Sequence, residues 1–470
     1  MQEPSILLTH NFIHTPTEGQ KALFERLGAF ILEKKKARST FLLKGYAGTG
    51  KTSVLASLIR TLRAYDYKSL LLAPTGRAAK VMASYTNRRA FTIHKIIFKQ
   101  EEDPYSGRLI FKRVSNTYKD TFFIVDEASM INDLNEMGGK GLLSELISYV
   151  FQKPNSGNKL LLIGDTAQLP PVHQELSPAL DAHVLQDEFH LQVTSCELDE
   201  VVRQEVASGI LENATRVRNQ IAQQEFAMHL DTQHFKDIYR MTGDRLEDGL
   251  RYAYDKFGIE NTVVVCRTNR AATQYNQFIR RQINFSEDEL EAGDLLMIVK
   301  NDYHWLPENS PAGFLANGEF VEVLKVRNYE EMHGFRFADL TLRLVDYPDH
   351  DTVDVKIHLE TLHSFTPNLD REQLNKLYEL VQQDYMDIED RTKRNSMIRK
   401  DPYLNALQVK FAYALTCHKS QGGQWNSVFV DLGYLTEERK NVELMRWLYT
   451  AITRASDELY LVNFSPDFFE

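Results

Sequence analysis

The chain is poor in cysteine, with three (Cys196, Cys266 and Cys417) among 470 residues. They lie far apart, are odd in number and sit in apolar segments. That excludes a disulfide framework and any zinc-binding spacing, and reads as core thiols of a reducing cytoplasm. Long apolar runs are missing too: none approaches the ~20 residues that span a bilayer. Met1–His14 lacks the basic-then-apolar layout of a signal peptide. A cytoplasmic chain with no membrane contact is expected, in keeping with 43% hydrophobic and 26% charged residues. Excess positive charge is the third absence. A net charge of −10 argues against a protein that coats nucleic acid through bulk charge, so any such contact must come from a local groove. Low-complexity tracts are absent, and the only internal repetition is a pair of α/β halves.

What is present begins with "FLLKGYAGTGKTSVLASLI". Thr40–Lys44 reads as a buried strand, and Val54, Leu55, Leu58 and Ile59 follow at helical spacing. Between them, Gly45, Gly48, Thr49, Gly50, Lys51 and Thr52 fall in a G-x-x-x-x-G-K-T pattern, and Ser53 follows it as a further candidate for the nucleotide. Glycines let the backbone turn its N–H groups toward an anion at a helix N-terminus. Lys51 can then reach the β/γ-phosphates and Thr52 can hold Mg²⁺. A ligand-free strand–helix turn is the plain alternative, but strand, turn, helix and Lys-Thr pair occur together. A nucleoside triphosphate is expected here.

"FFIVDEASMI" ends a buried strand in Asp126 and Glu127. At that edge of a parallel sheet the two carboxylates emerge beside the phosphate loop. Asp126 suits the metal's water shell, and Glu127 suits deprotonation of the attacking water, which points to hydrolysis. "LLLIGDTAQLPPV" ends another strand near Gln168, a neutral amide able to sense a γ-phosphate, and Pro170-Pro171 stiffen the turn beyond it.

Short apolar strands (Thr40–Lys44, Ser69–Ala73, Thr121–Asp126, Lys159–Gly164) alternate with helical stretches through the first 200 residues, the pattern of a helix-covered parallel sheet. After a helical stretch near Val201–Gln223, strands return at Asn261–Cys266, Ala412–Cys417, Ser427–Asp431 and Glu458–Val462. The expected division is 1–200 for the first unit, then 201–290 with 405–470 for the second. Phe98–Asp120, with its Pro-Tyr-Ser-Gly turn, reads as a β-hairpin insertion. Residues 291–404 read as a small barrel followed by a charged helical stretch, for which a solvated face is the plain reading.

Together, "GYAGTGKT", "APTGRAAKVM", "TIHKII", "VDEAS", "GDTAQLPPV", "VVRQ", "ALTCHKSQG" and "LYTAITRA" resemble, in order, the motifs of the superfamily 1 DNA helicases. The likeness is closest to the 5′→3′ branch with its RecD-like and phage Dda-like members. It implies an α/β fold of two RecA-like P-loop NTPase domains, ATP and Mg²⁺ between them and single-stranded DNA across their tops. By this resemblance Gln20 reads adenine, and Arg203 and Arg454 point at the γ-phosphate; for either arginine alone a surface ion pair would be the default. Tyr449 is open between the cleft and the core. Pro74, Thr75, Thr92 and His94, then Thr416, His418, Lys419 and Ser420, match stretches that touch the DNA backbone. His94 and His418 remain equally readable as buried structural histidines. The hairpin takes the position of a strand-separating pin and 291–404 that of an SH3-like barrel. The expected partners are single-stranded DNA, a duplex fork, and a single-stranded-DNA-binding, replication or repair protein. The chain is expected to be monomeric. The absence of a long N-terminal region and of a nuclease motif favours a stand-alone enzyme. An RNA helicase, or an ATP-gated nucleic-acid-binding switch that does not unwind, is the alternative activity.

Overall fold

The computed structural model describes residues 2–33, 37–102, 109–133, 141–172, 174–202, 208–226, 228–302, 304–306, 310, 314–345, 347, 352–435 and 440–469. Among the described residues the first part has eight strands: β1 (Ser39–Gly45), β2 (Lys68–Ala73), β3 (Ala90–Thr92), β4 (Phe98–Glu102), β5 (Leu109–Arg113), β6 (Thr121–Val125), β7 (Lys159–Gly164) and β8 (Gln192–Leu198). Six of them form an all-parallel sheet in the order β3-β2-β6-β7-β1-β8. The period-2 alternation of strand side chains divides its interior into two cores. Phe41, Leu43, Phe122, Ile124, Leu161 and Ile163 meet the helices Glu18–Leu32 and Lys51–Leu62 on one face. Leu42, Phe123, Val125, Leu160 and Leu162 meet the helix Leu142–Val150 on the other. A strand buried on both faces needs an unbroken apolar run, which is why β1, β6 and β7 are legible in the sequence.

β4 and β5 pair antiparallel outside this sheet, from Phe98 opposite Arg113 to Glu102 opposite Leu109. The residues that would join them, 103–108, lie outside the described residues.

The second parallel sheet combines β9 (Ile238–Met241) and β10 (Thr262–Cys266) with β16 (Ala414–Thr416), β17 (Trp425–Asp431) and β18 (Ala455–Val462). Their order is β16-β10-β17-β18-β9. Between β10 and β16 the chain builds a closed barrel of β11 (Leu295–Ile298), β12 (Phe320–Met332), β13 (Phe335–Leu344), β14 (Val353–His358) and β15 (Leu407–Phe411). Its fifth strand starts beyond the expected boundary at 404. The apolar run around Ala412–Cys417, expected as one strand of the second sheet, continues from β15: the chain leaves the barrel at Phe411 and enters the sheet at Ala414.

The joint between barrel and sheet is a buried ion pair. Arg280, in a π-helical turn (Ile279–Ile283), forks onto Asp294 with both contacts at 2.8 Å, and Tyr413 Oη donates to Asp294 Oδ1 at 2.9 Å. The charged stretch after β14 forms two helices, Arg371–Asp384 and Arg391–Arg399. Only part of it is solvated, because Leu377 and Val381 pack on Phe335 and Phe337 of the barrel hairpin.

Candidate nucleotide cleft and nucleic-acid face

The loop after β1 is folded around its own lysine. Lys51 Nζ donates to the carbonyls of Gly45 and Tyr46, both at 2.7 Å, and Thr49 Oγ1 donates to Tyr46 O at 2.8 Å. Gly50 starts the helix Lys51–Leu62 at φ +80°, in the left-handed region that favours glycine. A Cβ there would also lie 2.6 Å from Gln20 Nε2. Gln20 is buried and doubly engaged: Oε1 accepts from Thr17 N and Nε2 donates to Thr49 O, both at 3.0 Å. It therefore braces the first turn of its own helix against the loop, and each end of its amide keeps one further hydrogen-bonding position.

The ends of β6 and β7 bring the acids to this loop. Asp126 Oδ1 accepts from Glu127 N at 2.9 Å, and Asp126 Oδ2 accepts from the Tyr85 hydroxyl. Each oxygen keeps a lone pair for a further donor. Glu127 has φ +54°, a left-handed conformation uncommon for a side-chain-bearing residue and found repeatedly at functional sites. Burial raises the Glu127 carboxyl above the ordinary range; Arg454 and Lys51 oppose the shift, while Asp126 and Asp165 add to it. A carboxyl shifted this way is better placed to accept a proton. Burial, with Asp126 beside it, holds the Tyr85 hydroxyl well above its usual range, so this hydroxyl is the donor.

The second unit closes the other side. Arg454 is buried, with Nε on Thr450 O at 3.0 Å, Nη1 on Gly423 O at 3.1 Å and Nη2 on Thr453 Oγ1 at 3.2 Å. It shares a cleft of about 960 Å³ with Lys51, Asp126, Glu127 and Gln168. Gln168 Oε1 is buried there without a protein partner among the described residues. Thr52, the two Asp126 oxygens and the unpartnered Gln168 acceptor together fit a hydrated Mg²⁺–triphosphate, which needs only one or two protein oxygens beside the phosphates.

Tyr449 is a core residue of the second unit, buried behind the cleft. Its hydroxyl accepts from Ala47 N at 2.8 Å and donates to Asp165 Oδ2 at 2.6 Å, linking the second unit to the loop after β1 and to the end of β7. Two further bonds hold the segment after β7: Leu169 N to Thr450 Oγ1 at 2.9 Å, and Gln421 Nε2 to Leu169 O at 2.7 Å. Arg203 lies outside the described residues; Val202 N, just before it, donates to Gly48 O at 3.0 Å.

The residues matched to the DNA backbone line up differently from one another. Thr75 Oγ1 accepts from Ala78 N at 3.2 Å and caps the helix Gly76–Thr86. Thr92 is buried and caps Ile93–Ile97. His94 packs between Phe98 and Phe314, and burial pulls its pKa down. Thr416 precedes the short helix Cys417–Ser420, within which Ser420 is buried and donates to Cys417 O at 2.8 Å, while His418 is exposed. Lys419 Nζ donates to Asn317 Oδ1 at 2.5 Å, and burial lowers its pKa to about 8. His418 is thus exposed and Thr75 and Lys419 are half-buried with one protein partner each, whereas Thr92 and Ser420 are buried. Tyr85 and Asp165 were not anticipated as site residues. The available signal for Tyr85 was its place at the end of the buried stripe Ala78–Met82, where a tyrosine needs a partner for its hydroxyl.

Residues 17–239 match a family described as an AAA domain, and residues 411–462 match the UvrD-like helicase C-terminal domain. The two matches take in more than half of the chain. An uncharacterised protein of Acanthamoeba polyphaga mimivirus is 24% identical, over 94% of this chain and 98% of its own. The ATP-dependent DNA helicase dda of Enterobacteria phage T4 is 25% identical, over 95% of this chain and 99% of its own. The ATP-dependent RecD2 DNA helicase of Deinococcus radiodurans is 23% identical, over 95% of this chain and 50% of its own.

Proposed function

The chain belongs to the superfamily 1 helicases of the 5′→3′ branch, and on that premise we propose that it hydrolyses ATP to move along single-stranded DNA and unwind duplex ahead of it. The observation that carries this reading is the composite cleft. Lys51, Asp126 and Glu127 come from strand ends of one parallel sheet and Arg454 from the other unit, so nucleotide turnover and the relative position of the two units are tied in one place. The two named relatives, described as ATP-dependent DNA helicases, support DNA as the substrate.

In this reading Gly45, Gly48, Thr49, Gly50, Lys51, Thr52 and Ser53 hold the triphosphate, with Gln20 at the base end. Thr52 and Asp126 would hold Mg²⁺, which supplies charge neutralisation at the phosphates when bound. Glu127 takes the proton from the attacking water. Gln168 orients that water through its unpartnered carbonyl oxygen, and Arg203 and Arg454 stabilise the charge that develops on the γ-phosphate. Lys51 leaves its two loop carbonyls to reach the phosphates. Opening and closing at Arg454 and Tyr449 then shifts the second unit relative to the first, the kind of two-state closure that γ-phosphate contacts bias. Pro74, Thr75, Thr92 and His94 with Thr416, His418, Lys419 and Ser420 form the track for the strand, partly through backbone groups. The β4–β5 pair acts as the wedge at the fork.

The test is strand displacement on DNA and RNA duplexes carrying a 5′ or a 3′ single-stranded tail. Displacement of 5′-tailed DNA alone is expected. Displacement of RNA with equal efficiency would reassign the substrate, and DNA-stimulated hydrolysis without displacement on any duplex would make the chain an ATP-gated binding switch. Replacing Glu101–Ile110 by a short Gly-Ser link tests the wedge: ATPase should persist while displacement falls.

A further inference from the structure

We propose that the helix Gly76–Thr86 is a rigid tie between the DNA face and the metal carboxylate, with the Tyr85 hydroxyl as its contact at the nucleotide end. The inference rests on reading Pro74–Thr75 as a DNA contact and Asp126 as the metal carboxylate, and it goes beyond both by assigning Tyr85 as a positioning residue.

The helix has 11 residues, so it spans about 16 Å at the usual rise. Its two ends meet different machinery. At the N-terminal end, Thr75 caps the first turn directly after Pro74. Gly422 of the second unit, at φ +73°, packs so closely that a Cβ on it would lie 2.8 Å from Ala78 Cβ. The Arg77 guanidinium is sandwiched between Phe320 of the barrel and Trp425 of β17, at 4.5 and 4.2 Å from the ring centroids. Lys80 Nζ reaches the barrel at Val345 O, 3.0 Å away. All three parts of the molecule therefore meet on the first half of this helix. At the C-terminal end, Ser84 and Tyr85 line the nucleotide cleft, and Tyr85 Oη donates to Asp126 Oδ2.

Between these ends Ala78, Ala79 and Met82 are buried, and a helix packed into a dense interior transmits displacement with little slack. Among the described residues, two donors reach the Asp126 carboxylate. One is the N–H of the next residue, Glu127, just past a strand end that is held to the sheet by Asp126 N donating to Leu72 O at 3.0 Å. The other is the Tyr85 hydroxyl, whose position follows the helix. A strand of DNA against Pro74–Thr75, or a movement of the second unit at Gly422 and Trp425, shifts the helix and with it the donor that sets the Asp126 carboxylate. By linkage the effect runs both ways: if DNA favours the metal-competent orientation, Mg²⁺–nucleotide must favour DNA by the same factor.

The experiment is equilibrium binding of a non-hydrolysable ATP analogue, with and without Mg²⁺ and with and without an oligo-dT strand. In the unaltered chain DNA should increase the affinity gained from Mg²⁺. Tyr85→Phe keeps the ring and loses the hydroxyl. Its affinity without Mg²⁺ should match the unaltered chain, its gain from Mg²⁺ should fall about tenfold to a hundredfold, as for loss of a hydrogen bond to a charged group, and the DNA effect on that gain should vanish. Arg77→Met, at the far end, should keep the Mg²⁺ gain measured without DNA and weaken only the DNA effect. A Tyr85→Phe chain with both the Mg²⁺ gain and the DNA effect intact would overturn the proposal. So would equal loss of affinity with and without Mg²⁺, which would mark Tyr85 as a packing residue. If the unaltered chain binds no DNA, the DNA reading fails and the tie with it, while the Mg²⁺ gain still reports on the Tyr85–Asp126 contact.

Discussion

The two parallel-sheet units share a design and divide the work unequally. The first places a phosphate loop and three acids, Asp126, Glu127 and Asp165, at the ends of adjacent strands. The second contributes side chains that reach across: Arg454 into the cleft, and Tyr449, Thr450 and Gln421 onto the loop after β1 and the segment after β7. A sheet end can present carboxylates and backbone N–H groups together only where an adjoining helix begins, and in the first unit that helix is Lys51–Leu62. Of the second unit's contacts, Tyr449 and Thr450 come from one helix, Val442–Ile452, with Arg454 just past its end, while Gln421 follows the short helix Cys417–Ser420. The first unit thus holds the water-activating and phosphate-holding groups, while the second supplies both a cation to the cleft and the contacts that register the two units.

The largest break should come from the first unit. Lys51→Ala removes the loop's mobile cation and should abolish measurable ATP hydrolysis while weakening nucleotide binding in a direct titration. Glu127→Gln is nearly isosteric and should bind nucleotide normally. Its turnover should fall by about 10²–10⁴, the range for loss of a general base; turnover within a few-fold of the unaltered chain would remove Glu127 from that role.

Next come the two arginines, which sharpen the contrast. Arg203→Ala should lower turnover by on the order of 10³ with little change in nucleotide affinity, as expected for a finger acting on transition-state charge. Arg454→Ala should lower turnover similarly but also lower the melting temperature, because it removes the guanidinium donor to the buried Gly423 carbonyl and one of two donors to Thr450 O. Equal thermal stability in both variants would mean that Arg454 carries no structural load.

Much of this division was legible beforehand because buried parallel strands and ligand loops leave strong local marks. β1, β6 and β7 are continuous apolar runs, and Lys51, Asp126 and Glu127 follow them directly. The edge strands left weaker marks. β8, "QVTSCEL", is mostly half-exposed with mixed polarity, and β9, "IYRM", has four residues of which only Ile238 is buried. The join of β15 to β16 was hidden because the run from Phe411 to Leu415 is unbroken by a polar or turn residue; what separates barrel from sheet is the Tyr413 contact with Asp294, over 100 residues away in sequence. Tyr449 was undecidable for a similar reason. Its two hydrogen-bond partners, Ala47 and Asp165, lie far from it along the chain, and periodicity reports burial but not the element across the interface.

Tyr449→Phe should have a smaller effect than the arginine variants. The ring still fills its buried place, while the Ala47 N–H and one oxygen of Asp165 lose their shared partner. Leaving buried polar groups unpaired costs about 1–3 kcal/mol each, so a stability loss of about 2 kcal/mol is expected in denaturant unfolding. Nucleotide affinity should be nearly unchanged, and the ratio of DNA-stimulated to basal ATPase should fall, since the second unit would no longer be registered to the loop. An unchanged ratio would confine Tyr449 to packing.

The smallest effect concerns Lys419, where the second unit meets the barrel through Asn317. Burial lowers its pKa to about 8 from the ordinary 10.5. Between those values the folded chain holds fewer protons than the unfolded one, so this residue's contribution to stability grows as pH rises through the window. DNA binding should run the other way. A phosphate beside Lys419 favours the ammonium, so binding takes up a proton once the free chain has begun to lose it. DNA affinity should therefore fall as pH rises above 8, by at most about tenfold per pH unit from one proton. The fall should be absent below pH 7, where Lys419 is charged in both states. Lys419→Arg keeps its charge throughout and should flatten the profile between pH 7 and 9 at matched ionic strength. A slope that survives Lys419→Arg would place the titrating group elsewhere and remove Lys419 from the track.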